Sequence, residues 1–508
     1  MSILKKSFLL ATLIVFSSFC LFSLPSKAEA AITVLHEFAG GSDDGKLPIR
    51  SLVSSGNKLY GMTYQGGDSD EGIIFSIDSD GNNFDILHEF DSLVDGGNPT
   101  GSLVASGNKL YGMAGVGGAS GLGIIFSIDM DGNNFDVLHE FAGGEDDGSS
   151  PYDSLIISDN KLYGMTELGG DFEYGVVFSI DTDGNNFNIL HEFDGTDGSN
   201  PTGSLVLSGN KLYGMTDFGG TSDDFGVVFS IDTDGNNFDV LHEFAGSGDD
   251  GQNPQGSLTY SDSTLYGMTY QGGDSDKGII FSIDPDGNNF DVLHEFAGGS
   301  DDGSNPYDSL IISDNKLYGM TDFGGTYNRG VVFSIDPDGN NFDILHGFSN
   351  NDGKNPMGSP IISNNTLYGM TYLGGEIIKG GSTIWGIIFS LSLGNSTSEN
   401  TEEEEEEEAK IASWKAYKYS DPNGNCIQKL KIIITGKHFD KKAEVKIGNK
   451  KASSVKVNSG KKLTAKFCLD KLLDIKTDLK RKITVTNPDA DIATAKKKIN
   501  LSNIDINK

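Results

Sequence analysis

The chain has 508 residues, room for two or three domains, and carries 73 acidic against 38 basic side chains for a formal net charge of −35. The charge is unevenly spread: residues 410–508 hold 24 Lys and Arg against 9 Asp and Glu, a net of +15, which leaves 14 basic and 64 acidic residues, a net of −50, for the rest. That asymmetry points to different partners for the two parts. Beyond the first thirty residues no stretch is apolar enough to span a bilayer, which excludes a membrane-spanning helix there.

At the start, Lys5 and Lys6 precede an apolar run over 8–24, and Ala28-Glu29-Ala30 forms a small-x-small cleavage site. This pattern predicts a secretory signal cleaved after Ala30 and a mature protein that is secreted or held at the cell surface. Cys20 lies inside the run and follows Phe19, not the small residue a lipoprotein signal places there.

Residues 31–392 are repetitive. Leu-Tyr-Gly-Met recurs with its tyrosine at Tyr60, Tyr111, Tyr163, Tyr213, Tyr266, Tyr318 and Tyr368, spacings of 50 to 53 residues. Units of that length cannot bury an apolar face alone and must stack on their neighbours. In the first copy, strands are expected from Ser51, over 58–63, over 72–77 and over 84–90, with Gly/Asn/Asp turns between the first and second and between the third and fourth. Four-stranded meanders repeated about an axis are propeller blades. The array begins with a lone fourth strand, Ile32-Thr33-Val34-Leu35-His36-Glu37-Phe38, and its last copy lacks one. The first strand is therefore expected to complete the seventh blade and close the ring. An open solenoid has no use for complementary ends.

Leu-Tyr-Gly-Met-Thr-Tyr-x-Gly-Gly, Gly-Ile-Ile-Phe-Ser-Ile-Asp-x-Asp-Gly-Asn, Leu-His-Glu-Phe and Asp-Gly-x-Asn-Pro together resemble the Gloeo/Verruco (GloVer) tandem repeat over residues 32–392. The resemblance implies export and repetition and brings no general activity with it.

Seven of the eight histidines occupy one fourth-strand position: His36, His88, His139, His191, His242, His294 and His346. A symmetric outer ring does not converge on one substrate, so they read as packing or hydrogen bonding between blades. Asp78-Ser79-Asp80-Gly81-Asn82-Asn83 and its later equivalents depart from an EF-hand, with glycine at position four and no closing glutamate. They read as hairpin turns, with weak calcium binding as the alternative. The opposite face collects the inter-blade links and the loops between second and third strands, and function on repeat scaffolds concentrates in such loops. Its paired aspartates, Asp43-Asp44, Asp146-Asp147, Asp249-Asp250 and Asp301-Asp302, are candidate calcium ligands or simply soluble turn formers. The seventh copy has a unique loop, 374–386, with Glu376, Lys379 and Trp385. It reads as a ligand platform or as the clasp beside the first strand.

Residues 393–409 form a linker whose acidic run, 402–408, repels itself and stays extended. In 410–508, Ile434-Thr435-Gly436-Lys437-His438-Phe439, Val445-Lys446-Ile447-Gly448 and Ile483-Thr484-Val485-Thr486-Asn487-Pro488-Asp489 resemble the IPT/TIG immunoglobulin-like domain, which implies a small β-sandwich. Cys426 and Cys468, the two cysteines left in an exported chain, read as a disulfide worth roughly 3–4 kcal/mol, or as buried thiols. Export and the lack of a recognition motif beside the lysines make an anionic surface polymer, or the acidic propeller itself, a better partner for this part than nucleic acid.

The expected fold is thus all-β: a seven-bladed β-propeller followed by an immunoglobulin-like β-sandwich, in a monomer. No Ser-His-Asp or Cys-His signature is present. The expected function is noncatalytic binding or adhesion, with a glycan or protein ligand on the acidic loop face, aided by calcium, and the basic domain as tether. The alternative is an exported glycan-active hydrolase or lyase with carboxylates at the propeller mouth, because propellers host both. N-terminal sequencing of the protein recovered outside the cell is expected to begin at Ala31; an intact Met1 overturns the export reading.

Overall fold

The computed structural model describes residues 31–221, 224–246, 250–349, 352–374 and 384–393, and the backbone of strands between 410 and 500. Among the described residues every regular element is a β-strand. The predicted signal segment, the acidic linker, Asp249, Glu376, Lys379 and Cys426 lie outside the described residues.

The first blade is built from Val53–Ser55, Lys58–Thr63, Ile73–Asp78 and Asp85–Glu89, paired antiparallel in chain order. Six further blades repeat this meander. The seventh is completed by Ile32–Glu37, which runs antiparallel to Ile387–Ser392 with Ile32 opposite Leu391 and Glu37 opposite Ile387. Closure therefore joins the two ends of the repeat region in one sheet and leaves it no terminal blade. The first strand of each blade starts later than its apolar pattern suggests. Ser51, expected to open it, instead bonds a side chain of the next blade.

The third strands are buried along nearly their whole length, as in Ile73, Ile74, Phe75 and Ile77 at 0% exposure, because a blade lies on either side of them. The core is accordingly divided into seams between blades. Tyr60, Met62 and Ile74 of the first blade pack on Leu103, Leu110, Phe126 and Ile128 of the second. The closing seam sets Phe38, Leu52 and Phe75 against Tyr368, Met370 and Ile388.

The same packing accounts for the glycine of Leu-Tyr-Gly-Met. A Cβ on Gly61 would lie 2.6 Å from the ring of Phe75, and the equivalent glycines stand under the equivalent rings, down to 2.4 Å at Gly267. Glycine is needed there for room, not for backbone freedom.

Residues 396–508 form a compact unit of their own. One antiparallel sheet runs Lys410–Tyr419, Lys429–Lys437, Lys462–Cys468, Ser454–Ser459, and a second runs Lys450–Lys451, Glu444–Ile447, Ile483–Thr486, Ile492–Thr494. Lys480–Arg481 pairs with Ile499–Asn500.

Gly214→Ala places a methyl group 2.5 Å from Phe229. It is expected to cost about 1–3 kcal/mol by overpacking, read as a lower urea midpoint. An unchanged midpoint would show that the ring is free to yield.

Candidate binding site at the propeller axis

The first strands lie side by side around the axis, each entered from an inter-blade link. Links and the loops between second and third strands share one face, since Gly45 and Lys46 of a link pair with Gly66 and Gln65 of such a loop. At the entry to each first strand stands a serine, and these serines form a closed circuit. The Ser51 N–H donates to Ser102 Oγ at 2.9 Å, Ser102 to Ser154 at 2.7 Å, Ser154 to Ser204 at 3.1 Å and Ser204 to Ser257 at 2.7 Å. Ser257 donates to Ser309 at 2.8 Å, Ser309 to Ser359 at 2.8 Å, and Ser359 back to Ser51 at 2.7 Å.

So tight a ring leaves little space before each serine. The preceding residues are Arg50, Gly101, Asp153, Gly203, Gly256, Asp308 and Gly358. A Cβ on Gly101 would lie 2.2 Å from the Asp153 carbonyl oxygen, one on Gly203 2.1 Å from that of Gly256, and one on Gly358 2.5 Å from the Arg50 carbonyl carbon. The three exceptions to glycine are never adjacent around the ring, and all three are charged. Asp153 accepts the Ser154 hydroxyl at 2.8 Å, and Asp308 accepts the Ser309 hydroxyl at 2.8 Å and the Ser359 N–H at 3.0 Å.

Arg50, 3% exposed, fills the axis. Its Nε donates to the Thr100 carbonyl at 2.7 Å, and its guanidinium lies 5.1 Å from the Tyr152 ring centre and 5.4 Å from that of Tyr307. The two tyrosines come from the third and sixth blades, and their hydroxyl oxygens are 2.9 Å apart. Together the three side chains plug the channel. Burial opposes the Arg50 charge, but Asp153 and Asp308 outweigh it and keep the guanidinium firmly protonated. Burial, with Asp308 adding to it, pushes the Asp153 carboxyl up to about 6 against the pull of Arg50. Arg50 Nη1 stands 3.9 Å from Asp153 Oδ2, near enough for attraction and too far for a hydrogen bond.

A second set of positions follows Leu-Tyr-Gly-Met and one further residue: Tyr64, Gly115, Glu167, Asp217, Tyr270, Asp322 and Tyr372. Five of their backbone carbonyls, those of Tyr64, Glu167, Asp217, Tyr270 and Asp322, are clipped by asparagines of the next link. Asp217 and Asp322 are 6% and 7% exposed. Asp217 Oδ2 accepts Gln255 Nε2 at 3.4 Å. Burial raises both carboxyls to about 6, with Glu167 adding to the effect at Asp217.

Seven buried side-chain polar atoms among the described residues lack a hydrogen bond. One, His88 Nε2, sits 3.0 Å from Asp95 Oδ2, and burial holds the His88 pKa below the usual histidine value. The others are Arg50 Nη1 and Nη2, Asp153 Oδ2, Asp217 Oδ1, Gln255 Oε1 and Asp322 Oδ1. All belong to the axial entry segments or the adjoining ends of second strands. Unpaired buried polar atoms are destabilising, and a cluster of them marks a place where a ligand, ion or water completes the structure. The exposed large apolar side chains, Leu93, Val94, Leu168, Phe172, Tyr174, Phe218 and Tyr327, also all lie in links or second-to-third-strand loops, on this same face.

The acidic link residues have a different place. Asp44 accepts the N–H groups of Ala39 and Gly45, both at 2.8 Å, and lies 3.1 Å from His36 Nε2. Asp147, Asp250 and Asp302 are held in the same way beside His139, His242 and His294. His88, His191 and His346 pair with Asp95, Asp197 and Asp352. The His36 ring stacks on Phe84 of the next blade at 3.9 Å between centres, and His88, His139, His191, His242 and His294 stack on the equivalent rings, so each of these six joins a link to a seam. Asp43, Asp146 and Asp301 are exposed. Among the described residues no group of three or more His, Cys, Asp or Glu side chains has the geometry to hold a metal ion. In the Asp78–Asn83 turn, Asp80 accepts the Asn82 N–H at 3.1 Å and Asp78 the Asn83 amide at 2.8 Å. Trp385 stands at the clasp: its N–H donates to Phe38 at 2.8 Å and its carbonyl accepts from Leu47 at 2.9 Å.

Sequence reasoning passed over Arg50, Asp153, Asp308, Asp217 and Asp322. Their signal lay in departures from the repeat, a charge where Gly-Ser is the rule and an acid where tyrosine recurs.

The raised carboxyls carry a pH signature. A carboxyl at about 6 when folded and 3.8 when unfolded binds its proton more tightly in the native state. Its contribution to stability is therefore full below the unfolded value and is lost as pH rises to 6 and beyond. Asp217→Asn and Asp322→Asn are each expected to stabilise by on the order of 2–3 kcal/mol at pH 7.5 relative to pH 4.5. Urea midpoints of variant and parent at both pH values check this, and an equal difference at the two would remove it.

A family described as the Gloeobacter/Verrucomicrobia repeat matches residues 19–224 and 173–385. No curated protein matches the chain. Similar solved structures include a nidogen/laminin complex at 16% identity, covering 57% of this chain and 93% of that one with a TM-score of 0.37. A puromycin-hydrolysing peptidase of Mycobacterium tuberculosis is 11% identical over 81% of this chain and 62% of its own, with a TM-score of 0.47. An oligogalacturonate lyase in complex with manganese is 13% identical over 72% and 94%, with a TM-score of 0.45. Their activities differ from one another, and likenesses this distant carry no functional weight. The repeat match spans most of the chain, and the chain belongs to the Gloeobacter/Verrucomicrobia repeat family.

Proposed function

We propose that this chain is an exported, noncatalytic binding protein whose ligand seats over the propeller axis on the link face. In this reading the lysine-rich unit is an IPT/TIG-like sandwich that tethers the propeller to an anionic surface polymer. The observation that supports it is the concentration of unpartnered buried polar atoms about one axis. A scaffold with no ligand gains nothing from keeping Asp153, Asp217 and Asp322 buried with unpaired oxygens, whereas a binding site uses them to orient what it receives.

The second reading, an exported glycan-active enzyme, draws on the same carboxyls, since a carboxyl raised to about 6 is suited to general acid work. It lacks a matched pair, one carboxyl held protonated beside another held ionised by opposing surroundings, because Asp217 and Asp322 are shifted the same way by the same cause.

The two readings separate when the mature protein is incubated with extracellular polysaccharides and peptides while both melting temperature and new chain ends are measured. Binding is expected to raise the melting temperature without product, and the rise is expected to shrink in Asp322→Asn and Gln255→Ala. Product that disappears in Asp217→Asn or Asp322→Asn overturns the binding reading in favour of the enzyme. A rise that all three variants retain moves the ligand off the axis.

A further inference from the structure

Building on that reading of the link face, we propose that the seam between the fourth and fifth blades binds an organic cation, the lysine or arginine side chain of a basic peptide, through Asp217, Gln255 and Glu167. Only at this seam does an acid at the end of a second strand face an amide two residues before the ring serine, Gln255 before Ser257. At the other six seams the pairs are Tyr64 and Thr100, Gly115 and Tyr152, Glu167 and Thr202, Tyr270 and Tyr307, Asp322 and Met357, and Tyr372 and Ile49.

The unpaired atoms of this seam are acceptors only. Asp217 Oδ1 and Gln255 Oε1 are buried without a donor, although Asp217 is 6% exposed. Asn253 bonds the Asp217 backbone carbonyl at 3.0 Å and, with Gln255, lowers the carboxyl against the larger effect of burial. A group that completes such a site must bring several N–H or O–H donors and needs no donor in return. An ammonium offers three N–H donors and a guanidinium five, and neither carries an acceptor. A neutral glycan hydroxyl brings a single donor together with an acceptor, whereas a cation brings several donors to the two unpaired acceptors of the seam.

Charge and surface chemistry favour the same ligand. Glu167, half-buried on the third blade, acts electrostatically on Asp217 and adds a second carboxylate. Leu168 and Phe218, the residues that follow Glu167 and Asp217, are exposed, as are Phe172 and Tyr174. Aromatic faces attract cations and also cover the methylene stem of a lysine. Outside residues 410–508 the chain carries 64 acidic against 14 basic residues, which concentrates cations at its surface and repels anionic ligands. Entry requires one small movement. Gln255 is half-buried and held to Asp217 by a contact of 3.4 Å, so a change of its rotamer opens the carboxylate to the face.

The test is calorimetric titration of the mature protein with a lysine hexapeptide, its fully acetylated counterpart and a neutral cello-oligosaccharide at low and moderate salt. The free peptide is expected to bind and the acetylated one not. Asp217→Asn is expected to weaken binding at least ten-fold and Gln255→Ala several-fold. Asp80→Asn, which removes one exposed charge from the opposite face, is expected to change it less than two-fold. Asp217→Asn removes an unpaired buried charge and so is expected to fold, which a melting curve confirms. Equal losses in Asp217→Asn and Asp80→Asn mean diffuse attraction and overturn the site. Binding of the oligosaccharide that depends on Asp217, without binding of the peptide, overturns the cation while leaving the axial reading standing. If none of the three probes responds to Asp217→Asn, the seam is no site for them and this inference fails.

Discussion

The closed circuit of serine hydrogen bonds is the constraint on which the rest of this propeller depends. Each link between blades contributes about 1 kcal/mol at most as a single hydrogen bond, but seven of them in a ring hold the first strands at one fixed distance from the axis. The last bond, from Ser359 to Ser51, joins residues 308 positions apart and depends on Ile32–Glu37 closing the seventh sheet. Clasp and circuit therefore form together. Asp308, which accepts from both Ser309 and Ser359, reinforces the ring beside the closing seventh blade.

That fixed distance decides what the axis can contain. Backbone oxygens approach so closely that four of the seven positions accept only glycine. The three side chains that do occupy the ring must turn inward, and what they build is a buried cation between two tyrosine rings and two carboxylates. The outcome is a plugged channel with leftover hydrogen-bonding capacity. Stability alone would favour seven glycines and a dry or water-filled pore. Retention of Asp153, and of Asp217 and Asp322 beside it, costs free energy at neutral pH because burial opposes their ionisation. In a protein whose repeats are otherwise so alike, that cost is concentrated where the blades differ.

The outer ring shows the opposite principle. There the link aspartates and fourth-strand histidines repeat in every blade, and each aspartate spends its oxygens on a histidine and, in most blades, on backbone N–H groups of its own link. Acidic residues that look like ligands in a linear reading are thus turn and seam fasteners, while the exposed neighbours Asp43, Asp146 and Asp301 supply surface charge. Repetition here signals structure, and function is to be sought in the exceptions.

The sequence by itself determined the β architecture, the number of blades and the closing strand, because period, turn chemistry and complementary ends are local or additive properties of the chain. It also located the busy face, since an antiparallel meander places links and alternate loops together whatever the side chains are. Only the tertiary structure decided which acidic residues are left unpaired. Asp44 and Asp217 look alike in the chain, yet Asp44 meets a histidine eight residues before it and two N–H groups, whereas Asp217 meets the amides of Gln255 and Asn253 in the next link and the field of Glu167 from the preceding blade. Partners 38 and 50 residues away are brought within reach by the curvature of the ring. The satisfaction of a buried charge is set by that three-dimensional neighbourhood, which no local pattern encodes.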